Sequence, residues 1–226
     1  MQGIFGIKEP LLAFDIFLHL GTLVSILIYF RKDIFNILTR ERRTALYVIV
    51  ASIPTFMIGF MFKDAAEELF GRPHIIGYTL LATGLWLIIV TFYSRFRKPS
   101  EPQKKIGIIN SLVIGVAQGI AVIPGISRSG ATIGAGILSG IDREAAFRFS
   151  FLLSIPAILG ASLLKCTKIG ASLTSGDYLY FLSGALAAMI TGLVSVSVLL
   201  KIVKANKLYI FGIYCILAAA LIIAML

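Results

Sequence analysis

The sequence predicts an all-α polytopic membrane helix bundle, and three observations predict it. Of its 226 residues, 58% are hydrophobic and 14% charged, where a soluble domain carries about 25% charged residues. Mean hydropathy is +0.94. The apolar residues come in runs of about 17–22, long enough to cross a bilayer as helices. Finally, the lysines and arginines gather in short segments between those runs, as they do in the loops of membrane proteins.

The runs place spans near residues 13–30, 44–62, 75–93, 144–164, 178–200 and 208–226, about six in all. The stretches 31–43 and 63–74 read as loops, with His74 solvated after Pro73. Between the third and fourth spans the pattern changes. Residues 106–123 are apolar but glycine-rich, Pro124 to Gly130 breaks the helix, and 131–140 is too short to cross. This predicts a re-entrant hairpin over about 106–140, within a single integral-membrane domain covering 1–226. Non-helical backbone at membrane depth is tolerated only when it is buried in protein or lines a wet cavity.

Loop charge sets an orientation. Arg31, Lys32, Arg40, Arg42, Arg43, Arg95, Arg97, Lys98, Lys104, Lys105, Lys201, Lys204 and Lys207 alternate to one side, and only Lys8, Lys63, Arg72, Lys165 and Lys168 to the other. The richer side is read as cytoplasmic, so both termini and the hairpin tip face outward. Arg143 and Arg148 sit near the hairpin exit and read as topology charge. The net charge of +10 follows from these loops and does not indicate a nucleic-acid partner. Cys166 and Cys215 have no metal spacing and read as packing residues. Residues 1–12 lack the basic start and small-residue cleavage site of a signal peptide.

The chemistry concentrates at Pro124-Gly125-Ile126-Ser127-Arg128-Ser129-Gly130-Ala131-Thr132. An arginine at the bilayer centre costs about 2.5–3.5 kcal/mol on insertion scales, so it implies a polar cavity and a ligand; the alternative is that Arg128 ties the loop to carbonyls or to a carboxylate elsewhere. Its guanidinium fork grips two phosphate oxygens at once, which Lys does not. Ser127 and Ser129 flank it with hydroxyls. The start of a second half-helix supplies backbone N–H groups, expected from Gly130, Ala131 and Thr132, together with the positive end of the helix dipole. Gly125 and Gly130 allow close backbone approach. The catalytic candidates are therefore Arg128, Ser127 and Ser129, with Gly125, Gly130, Ala131 and Thr132 as phosphate-binding backbone.

Three further polar residues are candidates for support. Gln118 precedes the break and reads equally as a ligand to a headgroup or to the loop. Asp15 and His19 share a face of the first span; a structural pair is the leading reading and an acid/base pair the other. Small residues repeat at Gly115/Gly119, Gly130/Gly134 and Gly136/Gly140, a helix-packing spacing. No His-Glu-x-x-His, Walker or Gly-x-Ser-x-Gly motif is present.

These residues resemble undecaprenyl-diphosphatase, the bacitracin-resistance family of membrane lipid-diphosphate phosphatases. The Pro124–Thr132 segment resembles the family's second motif. Further matches are Phe14-Asp15, His19 to Leu23, Tyr29 to Asp33, Phe149 to Pro156 and Thr174-Ser175-Gly176-Asp177, so that the resemblance covers essentially the whole chain. It implies two inverted repeats, each with a re-entrant hairpin, and a site open to the outer side of the bacterial plasma membrane. It also implies hydrolysis of undecaprenyl diphosphate to the monophosphate that recycles the peptidoglycan carrier lipid, and a divalent cation such as Mg²⁺. By position, Arg128 would be the family's essential phosphate-binding arginine. The resemblance departs from the family at the start. No Glu-Gly-x-x-Glu stretch followed by Pro-x-Ser-Ser-x-Gly-His precedes Phe14, and Met1 to Ile7 looks like the linker that follows it. The expected metal carboxylates are thus absent from the sequence, no metal ligand is assigned, and a non-hydrolytic polyprenyl-phosphate binder or transporter stands as the alternative. The oligomeric state is left open.

Overall fold

The computed structural model describes residues 10–96, 105–166 and 177–225. Ten α-helices follow one another among them, with no strand. The expected spans appear as α1 (Pro10–Tyr29), α3 (Arg42–Met61), α5 (Pro73–Phe96), α8 (Arg143–Cys166), α9 (Asp177–Lys204) and α10 (Tyr209–Ala224). The broken hairpin appears as α6 (Ile108–Ile120) and α7 (Arg128–Leu138). Thr174-Ser175-Gly176 and Met1 to Ile7 lie outside the described residues.

Four helices are long and apolar enough to cross a membrane, and five if α1 is taken with the helix that follows it. α10 is apolar but, at 16 residues, shorter than a full span. The helices are apolar on faces that the chain itself leaves uncovered. The span window of α9 has a hydropathy of 2.2, yet only 11% of it is buried. In water such a surface would drive association; against lipid it is at rest. The chain is a multi-pass membrane protein.

Two segments read as loops are helical. α2 (Arg31–Thr39) leaves α1 at an angle of 69°, turning at Phe30, which is fully buried. α4 (Lys63–Phe70) places Asp64 in its first turn, where an acid favours the helix dipole. Glu68 pairs with Arg72 four residues on, and Ala66 packs inward. Both helices are short and charged on one side, so their polarity had masked their periodicity. His74 accordingly lies inside the first turn of α5, not in a loop.

Contacts divide the chain into two compact units, Met1–Asn36 with Ser154–Val198, and Ile37–Leu153 with Leu199–Leu226. In the first, α1 packs on α9 through small residues: a Cβ at Gly21 would lie 2.2 Å from the Ala185 carbonyl oxygen, and one at Gly192 would lie 2.4 Å from Ser25 Oγ. Phe17 stacks on Phe181 at a ring separation of 5.3 Å.

In the second unit, α3 packs on α6, and α6 and α5 both pack on α7. Thr55 donates one hydroxyl to both the Ala51 and Gly115 carbonyls, each at 2.9 Å. A Cβ at Gly115 would lie 2.1 Å from the Ala51 carbonyl oxygen, so the two backbones touch. α5 and α10 meet in the same way, antiparallel, at Gly84 and Gly212. The C-terminal end of α7 is closed by Gly140 at φ +91, with Ile141 N–H returning to the Gly136 carbonyl at 3.1 Å. Asp142 then caps α8, its Oδ2 accepting from the Glu144 and Ala145 amides at 2.9 and 3.1 Å.

Gly115→Ala is expected to destabilise the protein by about 1–3 kcal/mol, because the backbone it strikes has no rotamer to change. Gly59→Ala, where an added Cβ meets nothing within 4 Å, is the control. Thermal melting of the two variants in detergent checks this: the first should melt lower than the parent, and the second no lower.

Candidate phosphate-binding site

The site is built where α7 begins. Ser127 is the N-cap, at φ −68 and ψ 115, and its hydroxyl oxygen accepts from the Gly130 amide at 3.1 Å. Its carbonyl accepts the first helical bond, from Ala131 N–H at 2.8 Å. The two amides between, on Arg128 and Ser129, have no hydrogen-bond partner among the described residues. The free donors are thus earlier than the sequence suggested. Gly130 and Ala131 are occupied by Ser127, and Thr132 lies a full turn inside the helix.

Thr132 is fully buried. Its hydroxyl bonds the Arg128 carbonyl at 2.9 Å and pairs with Ser150 Oγ on α8. That position anchors α7 rather than facing a ligand. Arg128 itself is exposed, and its guanidinium makes no hydrogen bond or ion pair with any described residue. Ser129 Oγ is likewise without a partner. One end of a capped helix thus presents a free cation, a free hydroxyl and two free amides.

α5 holds this arrangement in place through three side chains that the sequence reading did not single out. Thr79 Oγ1 donates to the Pro124 carbonyl at 2.6 Å. Thr83 Oγ1 donates to the Gly125 carbonyl at 3.0 Å and accepts from the Ser127 amide at 3.3 Å. Trp86, the chain's single tryptophan, donates Nε1–H to the Gly130 carbonyl at 3.1 Å. Residues 79, 83 and 86 follow the i, i+4, i+7 rule of one helix face. The signal in the sequence was two hydroxyls and an indole aligned within an apolar span.

Gly125 fits this rail because it is glycine. Its φ is +88, and a Cβ there would lie 2.0 Å from Thr79 Oγ1. Gly134, one turn beyond Gly130, leaves room for the Trp86 indole, which would lie 2.4 Å from a Cβ. Of the small-residue pairs, Gly115/Gly119 therefore faces α3, Gly130/Gly134 faces α5 and Gly136 faces α8.

Thr83→Val keeps the shape and deletes both bonds of that hydroxyl. It is expected to cost about 1–3 kcal/mol, from leaving a part-buried carbonyl and amide unmatched. Hydrogen exchange across residues 121–131 should quicken in the variant, and an unchanged exchange rate would show that the rail does not hold the loop.

An apolar groove of about 390 Å³ runs beside the cap, between α5, α6 and α7. Trp86, Val113, Val116, Ile120 and Ile126 line it, with Thr83 and Ser127 among its few polar atoms. Gln118, on α6, is buried and donates Nε2–H to the Leu153 carbonyl at 3.3 Å, while its Oε1 is buried without a partner. Its bond goes to α8, not to the loop. Pro156 lies inside α8 just beyond, where it removes one backbone donor from the helix.

A family model described as Bacitracin resistance protein BacA matches residues 1–221. The chain belongs to that family. Among BacA relatives, an undecaprenyl-diphosphatase from Carboxydothermus hydrogenoformans is 42% identical over 218 residues, which is 95% of this chain and 82% of the relative. Another of that name, from Desulforapulum autotrophicum, is 41% identical over 95% of this chain and 84% of its own length. A third, from Methanothermobacter thermautotrophicus, is 45% identical over 77% of this chain and 99% of its own length.

Within this chain, Gly125, Ser127, Arg128, Ser129, Gly130, Ala131 and Thr132 fall together on the loop and the first five residues of α7. Asp15 and His19 belong to the first unit. There the His19 ring nitrogen Nδ1 lies 2.6 Å from the Asp15 backbone carbonyl, not from its carboxylate. This is an ordinary i, i+4 contact of a helix. Arg143 donates Nε–H and Nη2–H to the Ser94 hydroxyl and carbonyl at 2.8 and 3.1 Å, and Arg148 pairs with Glu144 at 2.8 Å. Both are structural ties. Cys215 is buried and free.

Proposed function

We propose that this chain hydrolyses undecaprenyl diphosphate to undecaprenyl phosphate and inorganic phosphate, recycling the peptidoglycan carrier lipid and so conferring bacitracin resistance. The observation that carries the reading is the unpaired Arg128 guanidinium beside the two free amides of α7, in a chain whose relatives bear the name undecaprenyl-diphosphatase.

The chemistry follows from that donor set. Water attacks the terminal phosphorus, the bridging P–O bond breaks, and the leaving oxygen remains on the lipid monophosphate. Negative charge grows on the non-bridging and leaving oxygens. Arg128 takes two of them through its fork. The amides of Arg128 and Ser129 and the Ser129 hydroxyl donate to the same group, and the dipole of α7 adds positive potential. Ser127 holds the turn and presents its own O–H. Gly125 and Gly130 keep the backbone close to the phosphate, with the Ala131 and Thr132 backbone behind them. Donors aimed at developing charge are worth most where water is excluded. The apolar groove beside Ser127 takes the first isoprene units of the lipid.

Family resemblance also implies a divalent cation such as Mg²⁺ to share the neutralisation. Such an ion wants carboxylate oxygens. The start of α7 offers a cation, hydroxyls and amides, and among the described residues no three His, Cys, Asp or Glu side chains gather. That set fits phosphate oxygens and does not fit the ion, so no step here runs through one.

In this reading the chain is one integral-membrane domain, and α6–α7 is a re-entrant hairpin over about residues 106–140. It sits in the plasma membrane with Arg128 opening outward; loop charge supports that orientation. Phosphate release from undecaprenyl diphosphate by the purified chain, in Mg²⁺ buffer, tests the proposal. Release above a protein-free control is expected, and none would overturn it.

A further inference from the structure

A further cavity lies away from the α7 site. It lies where the last two turns of α5 meet the α9–α10 connection, and it has a volume of about 540 Å³. Ile88, Thr91, Phe92 and Arg95 line it from α5, at the spacing of one helix face. Asn206, Lys207, Tyr209 and Ile213 line it from the other side.

Its polar groups are unusual in three respects. Arg95 and Lys207 have no ion-pair partner among the described residues, whereas Lys204 pairs with Glu144 at 2.6 Å and Arg143 is hydrogen-bonded to Ser94. No described Asp or Glu lines the cavity. Asn206 is the one described non-glycine residue at positive φ, +54. It closes α9, with Lys207 N–H returning to the Ile202 carbonyl at 2.9 Å. Its Nδ2 donates to the Thr91 carbonyl at 3.3 Å, which leaves Oδ1 buried without a donor. A buried acceptor of this kind costs free energy unless something donates to it. α10 also starts at this wall without a side-chain cap, so its first amides add positive potential.

We propose that this cavity is a binding site for a glycerophospholipid with an anionic headgroup. The cavity sits at the ends of two apolar helices, which is the level of the headgroups. The phosphate lies between Arg95 and Lys207. A glycerol or headgroup hydroxyl donates to Asn206 Oδ1, and an acyl chain follows Ile88, Phe92 and Ile213. Basic pockets between membrane helices bind acidic headgroups by this combination. The site is separate from Arg128 and does not depend on the phosphatase reading.

The test is native mass spectrometry and melting of the full chain in detergent, titrated with phosphatidylglycerol, with phosphatidylcholine or with inorganic phosphate. Phosphatidylglycerol is expected to bind one per chain and raise the melting temperature; the other two are not. In R95Q/K207Q the affinity should fall by about 10- to 30-fold, at about one surface cation's attraction each. The pair R42Q/R43Q, which does not line the cavity, should retain it. N206G keeps the positive φ and removes the acceptor together with the bond to the Thr91 carbonyl, and should weaken phosphatidylglycerol binding. Equal binding of phosphatidylcholine, binding of free phosphate alone, unchanged affinity in R95Q/K207Q, or an equal fall in R42Q/R43Q would each overturn the proposal.

Discussion

Arg128→Ala is expected to lower kcat/KM for undecaprenyl diphosphate by about 10²–10³-fold, the scale for removing a principal donor to developing charge. Arg128→Lys should recover little of this, because an ammonium keeps the charge but loses the planar fork that spans two oxygens. Neither variant should melt lower than the parent. The guanidinium has no partner in the protein, so nothing in the fold is released when it goes. Phosphate release and thermal melting on the same preparations read both effects. A variant without the arginine that turns over at the parent rate would remove Arg128 from the reaction.

Gly125→Ala should behave differently. At φ +88 an L side chain costs about 1–2 kcal/mol. The new methyl also meets Thr79 Oγ1 at 2.0 Å, the hydroxyl that holds the Pro124 carbonyl. Relieving that contact means moving the loop or breaking its anchor, and either shifts the start of α7. Catalytic sites tolerate such displacement poorly; an error of about 1 Å can cost about 100-fold. Activity and melting temperature should therefore fall together in G125A, whereas in R128A activity alone falls. A G125A variant with normal melting and normal release would show that the loop geometry is not fixed by α5.

Most of the fold was legible because lipid makes periodicity unnecessary. A run of apolar residues of the right length is enough, and the expected 44–62 and 144–164 became Arg42–Met61 and Arg143–Cys166. Pro124 to Gly130 marked a break for the same reason: nothing else in the chain concentrates turn chemistry inside an apolar stretch. What failed was local. α2 and α4 carry enough charge to read as loop, and their helical character lies in pairings such as Glu68 with Arg72. Within the candidate site, Arg128 and its serines could be named from residue type alone. Which amides stay free could not, since it depends on Ser127 serving as the cap. Thr79 and Thr83 were invisible because a threonine in an apolar helix usually bonds its own backbone one turn back. Thr79 does reach back, to the Ile75 and Ile76 carbonyls at 3.0 and 3.1 Å, and only the packing of α5 against the loop adds the Pro124 and Gly125 carbonyls as acceptors for the two hydroxyls.

The scaffold beneath Arg128 has a chemical consequence of its own. Thr79, Thr83, Trp86, Ser127, Thr132 and Ser150, which set its position, include no group that gains or loses a proton near neutrality. These bonds therefore contain no member that mild acid, mild alkali or added electrolyte can discharge or screen. Titration and ionic strength reach the site first through the Arg128 guanidinium and the lipid's own phosphates.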